Sequence, residues 1–140
     1  MSTNEEIEGF LAEPRLAILM YHGHRPAPTG VPVWFDWRGG QVQMFAARNS
    51  PKVRHLTANP QASVLVTNRV GEPEAWVAFD GTVQISDFAE PAWHELLDRV
   101  APRYWDLSDD GYAEQIAAWR SAPAAFVSLT MRPDRVRSGS

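Results

Sequence analysis

The sequence predicts a mainly β protein, a small barrel with flanking helices rather than a doubly wound parallel sheet. Three observations carry that prediction. Five β-like segments follow one another with only short helical interruptions, turn-forming residues punctuate them, and the two clear amphipathic helices come late in the chain. At 140 residues with 44% hydrophobic content, the chain reads as a single globular domain spanning 1–140, without internal repeats or low-complexity linkers.

Thr3-x-x-Glu6 has the capping-box pattern, and Ile7, Phe10 and Leu11 follow at helical spacing until Pro14 stops the run, so a short helix opens the chain. Strands are expected at Leu16 to Tyr21, Val31 to Trp37, Gln41 to Ala47, Ala62 to Val66 and Ala75 to Ile85. The Gly/Pro-rich stretch His22 to Gly30, Gly39-Gly40, Asn59-Pro60 and Gly71-Glu72-Pro73 separate them. Between the third and fourth strands, Ser50 suits a helix N-cap and Pro51 the first helical position, so a short helix is expected there. Trp93, Leu96, Leu97 and Val100, then Tyr112, Ile116 and Trp119, repeat at helical spacing on either side of Asp106 to Gly111. A strand from Ala125 to Met131 and a basic tail close the chain.

Composition narrows the function classes. A net charge of −4 argues against a protein that coats nucleic acid or an anionic membrane, so any anion site must be local. The absence of cysteine excludes disulfides, thiolate metal sites and a cysteine nucleophile. The acidic start lacks a signal-like apolar region and no apolar run approaches membrane-spanning length, so the expectation is a soluble cytoplasmic protein.

The most direct pointer to a ligand is Ala47-Arg48-Asn49-Ser50-Pro51-Lys52, where a strand feeds a helix start beside the cations Arg48, Lys52 and Arg54. Free helix N-terminal amides, a hydroxyl and cations suit a phosphate. The same short pattern also serves a plain capped helix with solvated cations. Neither a Walker loop nor a dinucleotide-binding glycine motif is present.

Six tryptophans give a second signal, because Trp34, Trp37 and Trp76 on strands can line a pocket for a planar ligand. Core packing accounts for most of them, and Trp93 and Trp119 fall on helical apolar stripes. Trp76, beside the polar Glu72 to Glu74 turn, is the one expected at a ligand mouth. His22-x-His24 has metal-compatible spacing but no evident third ligand, so no metal site is expected. His55 and His94 fall on helices, no Ser/His/Asp order suggests a nucleophile, and the carboxylates of Asp98, Asp106, Asp109 and Asp110 suit capping or solvation better than acid/base work.

Several segments then form an ordered set: Phe10 to Leu19, Val31-Pro-Val-Trp-Phe35, Ser50-Pro-Lys-Val-Arg-His-Leu56 with Asn59-Pro-Gln-Ala-Ser-Val-Leu65, Gly81-Thr-Val, and Arg132-Pro-Asp-Arg-Val-Arg137. In order and spacing this set resembles the pyridoxamine 5′-phosphate oxidase-like, FMN-binding split β-barrel family, and most closely its actinobacterial flavin/deazaflavin oxidoreductases.

That resemblance implies a split-barrel homodimer whose two interface sites each hold FMN or the 5-deazaflavin coenzyme F-420, with hydride passing between the cofactor ring and a small organic acceptor. By position, Ser50 and Lys52 match the phosphate clamp, with Ala47, Arg48 and Pro51 beside them. Val31, Pro32 and Val33, preceded by Thr29, match the strand whose backbone faces the ring, and Trp76 matches an aromatic supplied by the other protomer. Gly139 departs from the pattern, standing where many relatives keep an aromatic, and the His22 to Thr29 loop is unusually rich in Pro and His. A carrier of flavin, deazaflavin or haem on the same fold is the alternative function.

Overall fold

Alternating burial along the strands builds the barrel. In the computed structural model, which describes residues 3–139, β1 (Ala17–Tyr21), β4 (Gln41–Ala47) and β7 (Phe126–Met131) each bury every second side chain. Ala17, Leu19 and Tyr21 thus face the same interior as Val42, Met44 and Ala46, and as Val127, Leu129 and Met131. Phe35, Val64 and Phe79 complete the centre of that core. Each of the Leu, Val, Met and Phe side chains among them contributes about 1.5–3 kcal/mol by leaving water.

All strand pairs are antiparallel, in the order β2 (Thr29–Val33), β1, β5 (Gln61–Thr67), β6 (Trp76–Asp87), β7, β4, β3 (Asp36–Arg38). β8 (Arg135–Gly139) adds to β6. The predicted mainly β barrel is therefore present, as a curled antiparallel sheet. β2 lies at one edge of the strand order, and Pro32, which has no N–H to donate, occupies that edge.

β6 joins the two halves of the sheet. Its first half pairs with β5 and β8, and its second half with β7. The changeover falls at Gly81, where a Cβ would lie 3.2 Å from the Met131 side chain and 3.4 Å from the Arg132 carbonyl. Glycine there lets the turn between β7 and β8 come in close enough for the Asp134 amide to donate to the Asp80 carbonyl at 2.9 Å. The other glycine-dependent corner is Gly39-Gly40, both at positive φ, a two-residue hairpin between β3 and β4.

The helices are α1 (Asn4–Ala12), α2 (Pro51–Ala58), α3 (Glu90–Tyr104) and α4 (Asp110–Arg120). The expected capping box of α1 forms, with the Glu6 amide donating to Thr3 Oγ1 at 3.1 Å and the Thr3 amide donating to Glu6 Oε1 at 3.3 Å. Trp93, Leu96, Leu97 and Val100 of α3 are buried as their spacing predicts. Trp93 stacks on Phe126, with ring centroids 4.6 Å apart, and its indole N–H donates to the Trp119 carbonyl at 2.7 Å. None of the helices is long and apolar enough to cross a membrane.

Two expectations need correction. The single strand predicted from Val31 to Trp37 is broken between β2 and β3, where Phe35 turns into the core and Trp34 stacks on Tyr104. A side chain replaces the ladder there: the Phe35 amide donates to the Tyr104 hydroxyl, which itself donates to the Arg15 carbonyl at 2.8 Å. The basic tail is the second case, because it is ordered as β8 along β6.

Candidate functional site

The segment from Ala47 to Lys52 is a tight turn ending in a helix. The Ser50 amide donates to the Ala47 carbonyl at 3.0 Å, and Pro51 opens α2 as the residue types predict. The amides of Val53 and Arg54 both turn back to the Ser50 carbonyl, leaving the Lys52 amide without a backbone partner among the described residues. Ser50 occupies the cap position, yet its hydroxyl accepts no capping bond and, among the described residues, is buried without a partner.

Lys52 is half-buried, and among the described residues no hydrogen bond or ion pair reaches its ammonium. Burial pushes its pKa below that of an ordinary lysine. A buried hydroxyl with no partner and a desolvated cation with no counter-ion, side by side at a helix start, fit an incoming phosphate.

Arg48 does not join them. Its guanidinium donates to the carbonyls of Ala124 and Phe126 and pairs with Asp87 at 2.8 Å, so it secures the turn to β7. Arg54 donates to the Asn49 carbonyl at the rim. The ring of three cations expected around the helix start thus reduces to Lys52, with Arg54 outside it.

Ring stacking ties α2 to the β1–β2 loop. His55 lies between Tyr21 and His24, with centroids 6.1 and 5.5 Å away. A Cβ on Gly23 would lie 3.3 Å from Thr29 Oγ1 and 4.0 Å from His55 Nε2, so this glycine lets Thr29 approach the helix. In β2, Val33 is buried and Val31 packs on the core, whereas Gly30 and Pro32 are exposed. Only the backbone and the exposed face of β2 are therefore open to a ligand. Among the described residues, no group of three or more His, Asp or Glu is placed to hold a metal ion.

Trp76 stands apart from α2. It begins β6, opposite Thr67 in β5 and Gly139 in β8, and its indole covers Gly139 so closely that a Cβ there would lie 2.6 Å from Nε1. It lines a cavity of about 480 Å³ with Met20, Leu65 and Arg137. A second cavity of about 480 Å³ shares Met20 and Arg137 and runs past Ser63, Asp80 and Gly81. Lys52 lines neither, so one chain does not unite Trp76 with the helix start. Trp37, also weighed for a ligand pocket, stacks on Phe79 and donates to Glu8 at 2.8 Å.

A polar group between these two cavities was not singled out by the sequence. Arg137 grips Asp80 with two bonds of 2.9 and 3.0 Å, and Ser63 donates to the same carboxylate at 2.6 Å. The Arg137 and Ser63 bonds hold the Asp80 carboxyl down at about 2. The period-2 spacing of Arg135 and Arg137 was the available clue, because it places both on one face once the tail is a strand.

A family model described as pyridoxamine 5′-phosphate oxidase matches residues 3–138. A conserved hypothetical protein of Mycobacterium tuberculosis has a similar structure, at 21% identity and a TM-score of 0.74, covering 99% of this chain and 84% of that one. A protein described as an F420 reductase superimposes with a TM-score of 0.71 at 21% identity, over 93% of this chain and 94% of its own. The haem storage protein HutZ of Vibrio cholerae also has a TM-score of 0.71, at 15% identity, with coverage of 98% and 94%. None of the curated proteins matches the sequence.

Proposed function

This chain belongs to the pyridoxamine 5′-phosphate oxidase family, and on that premise we propose that it is a flavin- or deazaflavin-dependent oxidoreductase acting on a small organic acceptor. The observation that carries the reading is the start of α2, where among the described residues the Ser50 hydroxyl and the Lys52 ammonium both lack partners. In this proposal Ser50, Lys52 and the Lys52 amide hold the cofactor phosphate, with Ala47 and Pro51 shaping the turn and Arg48 anchoring it from behind. The exposed face of Thr29 to Val33 lies along the ring, where main-chain groups set hydrogen bonds and exclude water.

Bound FMN or F-420 would supply hydride transfer. The deazaflavin is favoured, because its longer anionic tail suits the Arg25, Lys52 and Arg54 side of the molecule, where neither the 21–30 loop nor α2 contains a carboxylate. Trp76 joins such a site only from a second copy of the chain, since Lys52 lines neither of the cavities along the outer face of β6. The proposal is therefore a homodimer with two interface sites.

The carrier alternative has its own supporting observation. The stacked imidazoles of His24 and His55 beside α2 offer nitrogen ligands of the kind that haem iron takes. One experiment separates the two readings: titrate the purified protein with FMN, F-420 and haem by absorbance, then mix the reduced flavin or deazaflavin complex with quinone and enone acceptors. Acceptor-dependent reoxidation supports the oxidoreductase. Tight binding without reoxidation, or a haem spectrum alone, supports the carrier.

A further inference from the structure

A cavity of about 520 Å³ opens at the far end of the β5–β6 pair, where the ends of α1 and α3 meet the turn between those strands. Three arginines line it, Arg15, Arg69 and Arg103, and no residue of α2 or β2 takes part. Arg15 is almost wholly buried and pairs with Glu72 at 2.7 Å, while Arg69 pairs with the same carboxylate at 3.1 Å and donates to the Pro14 carbonyl. The bonds from Arg15 and Arg69 hold the Glu72 carboxyl down at about 2, so it is ionised at neutral pH and already counted in the balance.

Arg103 adds a third cation. Its terminal nitrogens donate to the Leu11, Ala12 and Glu13 carbonyls at the end of α1, its Nε is buried without a partner, and among the described residues no carboxylate pairs with it. Three guanidiniums thus outnumber the bound Glu72 carboxylate and the Glu13 carboxylate whose charge also reaches Arg69, in a protein whose net charge is negative. The rest of the wall joins Pro14, Leu16, Val70 and Tyr104 with the polar Thr67 and Asn68, and of these Leu16 is half exposed and Val70 fully exposed.

We propose that this cavity binds a small organic carboxylate, its charged end against the Arg69 and Arg103 side and its apolar body on Leu16, Val70 and Tyr104. Beyond the bonds to Glu72, Pro14 and the end of α1, Arg69 Nη1 and Nη2 and Arg103 Nη1 each keep one N–H for a carboxylate oxygen, and a cavity of this volume suits a small organic molecule better than a bare ion. The site is distinct from the helix start at Ser50. Thr67 lines both this cavity and the one containing Trp76, so an occupant would lie beside the Trp76 edge of the sheet.

The test is calorimetric titration of the full chain with 3-phenylpropionate, with its uncharged amide and inorganic phosphate as comparisons. The expected result is one carboxylate bound per chain, with the amide and phosphate at least tenfold weaker. Arg69→Gln, at an exposed position that leaves the Arg15–Glu72 pair in place, should weaken binding by at least fivefold. Leu16→Glu puts a carboxylate at the cavity wall and should abolish binding while the circular dichroism spectrum is retained. Lys52→Ala should leave it unchanged. Equal affinity for acid and amide, full binding by folded Leu16→Glu, no binding by the native chain, or loss of binding in Lys52→Ala would each overturn the assignment.

Discussion

The starts of α1 and α2 each place a hydroxyl at the cap position, and the two hydroxyls meet opposite fates. At α1 the Thr3 hydroxyl and Glu6 carboxylate close a reciprocal box, so each polar group is used within the helix. At α2 the residue in the equivalent position, Ser50, has a buried hydroxyl with no partner, and the neighbouring Lys52 has no counter-ion among the described residues. Nature has a cheap way to satisfy such a serine, as α1 shows. On the proposed reading, the difference separates polar groups committed to the fold from those left open for a ligand.

The sharpest way to break this comparison is Lys52→Ala. It should weaken FMN or F-420 binding by about tenfold to hundredfold, as expected for loss of one charge-assisted contact, with little change in the denaturation midpoint. The pH dependence carries the same signature. Because burial lowers the Lys52 pKa, native affinity should begin to fall at a pH below that at which an ordinary lysine deprotonates, and the alanine variant should lack that fall. Unchanged affinity would remove Lys52 from the clamp.

Ser50→Ala should reduce cofactor affinity about fivefold while leaving urea stability unchanged or slightly raised, since the native hydroxyl makes no bond in the free protein. Thr3→Ala reverses the pattern. It should cost about 1 kcal/mol of stability in the same urea experiment and leave cofactor titrations untouched. If both substitutions lowered stability equally, the two helix starts would not differ in the way described.

Acid provides a gentler probe of the committed groups. Glu72 has its folded pKa held at about 2, below its ordinary value of 4.5, by the Arg15 and Arg69 bonds. Its contribution is therefore present above pH 4.5 and is lost as pH falls from there toward 2. Melting temperatures recorded between pH 5 and 2 should fall less steeply in Glu72→Gln than in the native chain. Arg48→Ala should have the smallest effect on cofactor binding, within about twofold, because Arg48 is spent on Asp87 and the Ala124 and Phe126 carbonyls.

What the sequence made legible was whatever depends on neighbours in the chain. The capping box, the apolar stripe from Trp93 to Val100, the Gly39-Gly40 hairpin and the strand–turn–helix at Ser50 all follow from local periodicity and turn chemistry. The strand at Arg135 to Gly139 was not legible, because its alternation is of charged and small residues and its order comes from pairing with β6. The same reason hid the fate of Arg48, whose partner Asp87 lies far along the chain, and the Asp80–Arg137 grip. Trp34 and Phe35 continue a β-like run in sequence, and only the Tyr104 hydroxyl, brought in by α3, explains why the strand breaks there. For the candidate site, the turn and its residue types could be read in advance, but which cation stayed unpaired could not.

The exposed edge at β2 has a consequence for the protein as a solution species. An unpaired strand edge that offers main-chain groups to a ligand offers them equally to another unfolding chain, and such edges seed aggregation. Pro32 interrupts the row of donors at that edge, while Gly30 and Pro32 together keep its outward face free of large apolar side chains. The residues proposed to keep this edge receptive to a planar guest are thus also the ones that make it a poor template for its own kind.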